Sequence, residues 1–233
     1  MKRICTICAR GGSKGVENKN IRQIAGKPLI AYTLEQAQVS RLFEVIAVSS
    51  DSPEILDVAQ CYGVNVLIQR PPELATDEAP KLPVIRHCVE ETERIVNRRF
   101  DIVVDLDATS PLRLPEDIQG AVNLLESQNL GNIITGSPAR RSPYFNLVEL
   151  KDDGVVQLVK PPITAIVRRQ DSPKCFDMNA SIYVWQRDVV FNAPSVFNQD
   201  TRLFVMPESR SIDIDSELDF EMVEFMLKKR QGV

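Results

Sequence analysis

Arg10, Lys14 and Lys19 gather on one short glycine-bearing segment, Ala9-Arg10-Gly11-Gly12-Ser13-Lys14-Gly15 with Asn18-Lys19-Asn20 behind it, directly after the apolar run Ile4 to Cys8. Two adjacent glycines let the backbone take left-handed or crowded conformations, so N–H groups can turn toward an anion while three cations add charge to the loop. The chemistry predicted is the holding of a triphosphate. The pattern is not a P-loop, since Gly-Lys-Ser/Thr is absent. Nor is it a dinucleotide fingerprint, because the glycine spacing differs and Gly26-Lys27-Pro28 comes too late. A plain glycine-rich surface turn would carry the same residues.

A second group of chemical residues lies near the other end, in Ser211-Ile212-Asp213-Ile214-Asp215-Ser216-Glu217. The alternation predicts a strand with Asp213 and Asp215 on one face and Ile212 and Ile214 toward the core. Paired carboxylates suit Mg²⁺, a hard ion usually held by one or two carboxylates together with substrate phosphates. The same residues also read as the acidic start of a helix.

The elements that must position these groups alternate. Apolar runs at Ile4 to Cys8, Val45 to Val48, Val64 to Ile68 and Ile102 to Leu106 read as strands. Helical periodicity marks segments near 28 to 39, 53 to 61, 80 to 97 and 115 to 127. Such alternation predicts an α/β fold with a doubly wound, mostly parallel, Rossmann-like sheet, whose ligands bind beyond the carboxyl ends of the strands at a switch in strand order. The Arg10 loop, Ser49-Ser50-Asp51 and Asp107-Ala108-Thr109-Ser110 all follow such strands and are expected to converge. Further on, Ser137-Pro138-Ala139-Arg140-Arg141-Ser142-Pro143, Asp152-Asp153-Gly154 and Pro161-Pro162 break the pattern, predicting a small inserted lobe over about 138–180 within one domain of 1–233. Its apolar stretches at Tyr144 to Leu150 and Val155 to Val159 could not stand alone as a two-stranded unit and need cover from the sheet or a partner chain.

Composition narrows the class. With 233 residues and 43% hydrophobic content the chain can bury a large core. A net charge of -4 and a pI near 5.2 argue against a nucleic-acid or anionic-membrane surface while allowing a local basic pocket for a small anion. The start of the chain carries no signal-peptide pattern and no stretch is long enough to span a bilayer, so a cytoplasmic protein is expected. Five cysteines, an odd number, suit a reducing compartment without disulfides. Cys5-Thr6-Ile7-Cys8 falls inside a strand and has no second pair, so it reads as core, and the only histidine, His87, sits on a half-buried helical face.

Taken together, the glycine loop, Arg70-Pro71-Pro72-Glu73-Leu74-Ala75-Thr76-Asp77, Thr109-Ser110-Pro111-Leu112-Arg113 and Ser211-Ile212-Asp213-Ile214-Asp215 resemble the acylneuraminate cytidylyltransferases, the CMP-sialic acid synthetases. The resemblance runs over nearly the whole chain. It implies transfer of CMP from CTP to the anomeric hydroxyl of a nine-carbon 2-keto sugar acid, with release of pyrophosphate. By the same resemblance Arg10, Ser13, Lys14, Lys19 and Asn20 would hold the CTP phosphates, Ala9, Gly11 and Gly12 would join them in binding CTP, and Arg70 and Ala79 would lie near the ribose and cytosine. Asp213 and Asp215 would bind Mg²⁺, with Arg10, Lys14, Lys19 and Asp213 at the chemistry. Asp107, Thr109, Ser110, Arg169, Gln170 and Asn179 would meet the sugar. The inserted lobe would be a dimerisation element reaching a neighbouring active site, implying a homodimer.

The sugar half departs from the N-acetylneuraminate pattern. Asp107-Ala108 stands where that branch has Gln-Pro, and Phe176-Asp177-Met178-Asn179 where it has Phe-Arg-Pro-Asn. Two sugar-facing positions are thereby acidic, and Leu106-Asp107-Ala108-Thr109-Ser110 is similar to the legionaminic acid branch. Three other readings stand beside this one. Asp105-Leu106-Asp107-Ala108-Thr109 also fits a haloacid-dehalogenase-type phosphatase with Asp105 as nucleophile and Asp107 as general acid. A non-catalytic nucleotide-binding homologue would keep the same loop. The synthetase for the eight-carbon acid 3-deoxy-manno-octulosonate is similar in fold, but its loop lacks the Gly11-Gly12 and Asn18-Lys19-Asn20 pattern.

Overall fold

The computed structural model describes residues 1–162 and 168–232, and of Arg169 the backbone alone. Apolar, β-branched runs become strands and the amphipathic segments between them become helices. In chain order the first half contains β1 (Arg3–Cys8), the short pair β2 (Gln23–Ile24) and β3 (Lys27–Pro28), α1 (Leu29–Ser40), β4 (Val45–Ser50), α2 (Pro53–Cys61) and β5 (Val66–Gln69). Then come α3 (Lys81–Val96), β6 (Ile102–Leu106), α4 (Pro115–Gln128) and β7 (Asn132–Pro138). The remainder holds β8 (Val148–Leu150), β9 (Val156–Leu158), β10 (Phe176–Gln186), α5 (Arg187–Asn192), β11 (Arg202–Val205) and α6 (Glu217–Gln231).

Seven strands form one sheet in the order β11, β7, β10, β6, β1, β4, β5. β1 pairs in parallel with β4 on one side and β6 on the other, so the winding reverses between β1 and β6. That reversal is the switch point where ligands of such sheets bind. β10 is antiparallel to both β6 and β7. Helices α1, α2 and α4 pack on one face of the sheet through Ile30, Leu34, Ile55 and Ile118, and α3 and α5 on the other through Leu82, Ile85, Val89 and Val190. Along β1 the alternation is visible: Cys5 and Ile7 enter the first core and Ile4 the second.

α6 builds a third cluster. Ser216 caps its N-terminus and Asp219 returns the bond, acidic residues fill its first turn and Lys228, Lys229 and Arg230 its last. Its buried Phe220, Val223 and Leu227 meet Val16, Leu112 and Ile214. Residues 211–215 are therefore not a strand. Ile214 is buried by helix packing rather than by sheet pairing: its N–H donates to the Thr109 carbonyl at 3.0 Å and its carbonyl accepts from Lys19 Nζ, neither a strand partner.

The excursion predicted in the middle of the chain leaves the sheet at Pro138 and re-enters it opposite, where Phe176 pairs with Pro138. Between them β8 and β9 make an isolated antiparallel pair. Leu147, Val148, Leu150, Val155 and Val156 on this hairpin are exposed.

Candidate active site

The carboxyl ends of β1, β5 and β6 deliver three segments to one place, and a cavity of about 400 Å³ opens between them. Ala9, Arg10, Ser13, Lys14, Lys19 and Asn20 line it from the first loop, Arg70 and Ala79 from the segment after β5, and Asp107 and Thr109 from the loop after β6. Lys81 and Asp215 complete the wall. The size suits a ligand of a few tens of atoms.

The glycine loop is held from beneath. Ala9 N–H donates to the Ser49 carbonyl at 3.0 Å, Gly11 N–H to Asp51 Oδ1 at 3.0 Å, and Asn20 Nδ2 to the Arg10 carbonyl at 3.0 Å. Asn20 Oδ1 is buried without a protein partner. Arg10 and Lys14 both ion-pair with Asp77, and these bonds, Lys14 first, hold the Asp77 carboxyl below its ordinary range. Lys19 Nζ donates to the Ile214 carbonyl and lies 3.2 Å from Asp215 Oδ1. Arg70 is buried, with Nη2 donating to the Ser49 carbonyl at 2.7 Å and Nε to Ser49 Oγ at 3.2 Å.

Neither Gly11 nor Gly12 has a positive φ. Left-handed backbone is therefore not what the pair supplies here, and both line a neighbouring cavity of about 410 Å³ with Asp51 and Ser52. The glycine whose missing side chain matters is Gly15. A Cβ on it would lie 1.9 Å from the Asp215 carbonyl oxygen.

Carboxylates stand among these cations: Asp215 pairs with Lys19 and Asp107 with Lys81 on the cavity wall, while Asp213 is not a lining residue. Asp213 is half-buried, and burial, with Asp215 and Asp107 nearby, raises its carboxyl. Asp215 is exposed to the cavity. Among the described residues no three His, Cys, Asp or Glu side chains are grouped to hold a metal. Two carboxylates with phosphates from a substrate are nonetheless a fitting donor set for Mg²⁺.

Asp107 carries the floor. Burial opposes its ionisation, but the Lys81 charge and two bonds from Thr109 outweigh this and hold it down to about 2. Lys81, burial notwithstanding, is raised by Asp105 and Asp107. Arg113 is fully buried and braces the same loop: Nη1 donates to the Ser181 carbonyl at 2.6 Å, and Nη1 and Nη2 each to the Asp107 carbonyl at 3.3 Å. Its neighbours are mostly carbonyls and hydroxyls, and burial lowers its guanidinium to about 10.

Other residues proposed for the sugar lie apart. Ser110 is buried beneath Thr109 with its hydroxyl unpartnered. The Asn179 amide is enclosed, accepting from Thr135 Oγ1 at 2.7 Å and donating to Ser211 Oγ at 3.0 Å. Gln170 is exposed and lines a separate groove of about 690 Å³ with Arg141 and Lys174. The Arg169 side chain lies outside the described residues. Asp105 lies within a fully buried strand, 1% exposed, accepting from Thr6 Oγ1 at 2.8 Å and 3.1 Å from Lys81. A nucleophile must reach its substrate, so the phosphatase reading, which gave Asp105 that part, does not hold.

Lys81 was missed by sequence reasoning. It is the first residue of α3, where the helix dipole disfavours a cation, and that misplacement was the available signal.

A family model described as cytidylyltransferase matches residues 4–218. The chain is 50% identical over 224 residues to a Campylobacter jejuni protein named CMP-N,N'-diacetyllegionaminic acid synthase, covering 96% of this chain and 94% of that one. It is 48% identical over 227 residues to a Campylobacter coli protein named post-translational flagellin modification protein B, covering 97% and 95%. Among solved structures, a CMP:2-keto-3-deoxy-manno-octonic acid synthetase complexed with CTP matches with a TM-score of 0.72 over 99% of this chain and 100% of that one. At 18% identity this likeness speaks for the fold alone.

Proposed function

The chain belongs to the cytidylyltransferase family, and from that premise we propose that it transfers CMP from CTP to the anomeric hydroxyl of a legionaminic-type nine-carbon 2-keto sugar acid. Pyrophosphate is the second product. The observation that carries the reaction is one cavity at the sheet's switch point lined by four cations, Arg10, Lys14, Lys19 and Arg70, together with the carboxylates Asp107 and Asp215. Half-identity to a legionaminic acid synthase over nearly the full length of both chains supports the choice of sugar.

In this reading the loop cations draw up the triphosphate, and Arg70 and Ala79 lie where ribose and base would follow. The sugar hydroxyl attacks the α-phosphorus as the bond to the β-phosphate oxygen breaks. Preset charge and alignment supply most of the acceleration. Asp213 and Asp215 would hold Mg²⁺, which would supply positive charge against the phosphates. Lys19, bonded to the 214–215 backbone and carboxylate, ties the phosphate loop to this segment.

The exposed apolar hairpin of β8 and β9 supports a homodimer, since two three-residue strands need cover. All five cysteines are free, which suits a reducing compartment, and we assign the protein to the cytoplasm. Among the described residues no helix is long and apolar enough to cross a membrane.

The test is pyrophosphate release from CTP and Mg²⁺ with N,N'-diacetyllegionaminate, N-acetylneuraminate, pseudaminate and 3-deoxy-manno-octulosonate in parallel. The highest kcat/KM is expected with the legionaminate. CTP binding without release from any sugar acid would make the chain a nucleotide-binding homologue instead.

A further inference from the structure

Lys81 lies 3.1 Å from Asp105 Oδ2, 3.1 Å from Asp107 Oδ2 and 4.6 Å from the centroid of the Tyr183 ring. Two carboxylate oxygens and one aromatic face surround the ammonium, so the charge of Lys81 is directed at Asp105 and Asp107 and its position is set from within the fold. Asp107 is differently placed. Its Oδ1 accepts from the Thr109 N–H at 3.0 Å and from Thr109 Oγ1 at 2.8 Å, while Oδ2 accepts from Lys81. With about two acceptor sites on each carboxylate oxygen, Oδ1 is filled and Oδ2 keeps one, on a side chain that lines the cavity. Arg113 fixes the Asp107 backbone from the other side.

We propose that Lys81 is a positioning residue that selects the sugar acid through Asp107, fixing the carboxylate so that Oδ2 accepts one hydrogen bond from a hydroxyl or acylamino N–H of the substrate. The proposal rests on the cytidylyl-transfer reading above and adds the device that discriminates among sugar acids. A sugar acid without a donor at that point leaves a desolvated carboxylate oxygen unpaired, and sites built on such a hydrogen bond reject the wrong substrate strongly. Asp105 anchors the other side of the ammonium from within the sheet, so Lys81 cannot follow a misplaced ligand.

The experiment is a double-mutant cycle with Lys81→Met, Asp107→Asn and both together, read as KM for the sugar acid, KM for CTP and kcat. Lys81→Met is expected to raise the sugar-acid KM about tenfold or more while the CTP KM stays within about twofold, and the double variant to be no worse than Asp107→Asn alone. Losses that multiply, or a rise confined to the CTP KM, overturn the proposal. Should Lys81→Met fail to fold, Lys81→Arg keeps the charge but presents it in a planar fork. It is then expected to change the ratio of kcat/KM between legionaminate and N-acetylneuraminate by about fivefold or more, and an unchanged ratio overturns the proposal. Release by the wild type with no sugar acid removes the reading of the reaction and this proposal with it. Release by the wild type with multiplying losses removes the proposal alone.

Discussion

Gly15 and Asp215 touch backbone to backbone: a Cβ on Gly15 would sit 1.9 Å from the Asp215 carbonyl oxygen. The two ends of the chain that carry phosphate-binding cations and candidate metal carboxylates are thereby locked in register. Gly15→Ala must push them apart, and a misplacement of about 1 Å at an active site can lower the rate roughly 10²-fold. A loss in kcat/KM of that order is expected with a melting temperature lowered by a few degrees at most, since the contact lies at the cavity rim. Turnover at the wild-type rate would show that the two segments need not keep this distance.

Asp213 is expected to trade stability for function. Burial, then the nearby Asp215 and Asp107, raise its carboxyl above the unfolded value. The folded chain therefore holds that proton to higher pH than the unfolded chain, and its stability falls as pH rises between the two values. Asn mimics the protonated form. Asp213→Asn should melt a few degrees higher than the wild type at neutral pH in EDTA, lose part of the fall in stability above the ordinary carboxylate range, and lose Mg²⁺-dependent pyrophosphate release. Thermal melts across pH with and without Mg²⁺ check all three. A lower melting point in EDTA together with full Mg²⁺ dependence would remove Asp213 from the metal site.

Much of this architecture was readable because burial on both faces writes itself as unbroken apolar runs. β1, β4, β5 and β6 and the four helices between and after them fall within about two residues of their sequence positions. The direction of β10 was not readable, since it depends on how the chain returns from the excursion after Pro138 rather than on the composition of Ile182-Tyr183-Val184-Trp185. Alternation over 211–215 suggested a strand because Ile214 is buried, yet the burying surface is α6 and its neighbours, and one-dimensional periodicity does not say what does the burying. Lys81 looked like any solvated lysine until the fold brought Asp105 and Asp107 beneath it.

Asp77 holds two of the three cations of the phosphate loop, Arg10 and Lys14. A phosphate group arriving at that loop must displace or share this carboxylate. Asp77→Asn leaves the shape and removes the charge, so product inhibition by pyrophosphate is expected to tighten several-fold. The difference should shrink in high salt, where exposed charges are screened. Inhibition constants measured at two ionic strengths decide it, and equal values for the variant and the wild type would mean that Arg10 and Lys14 do not meet the phosphates.

The hairpin of β8 and β9 exposes Leu150 at 73% and Val156 at 58%, residues that pair with each other across the two strands. A pair of three-residue strands is not stable in water by itself, and like-sided aliphatic groups on it gain most when a second surface covers them. If that surface is a second copy, the wild type should sediment at twice 26.2 kDa at micromolar concentration. Leu150→Glu with Val156→Glu places two like charges side by side on the covered face, which disfavours both the pairing and the contact. The double variant is expected to sediment as a single chain while its main sheet, which the hairpin does not join, melts near the wild-type temperature. A wild type that sediments as one chain would leave the hairpin's apolar face to a different partner, and a double variant that stays at twice the mass would move the interface elsewhere on the molecule.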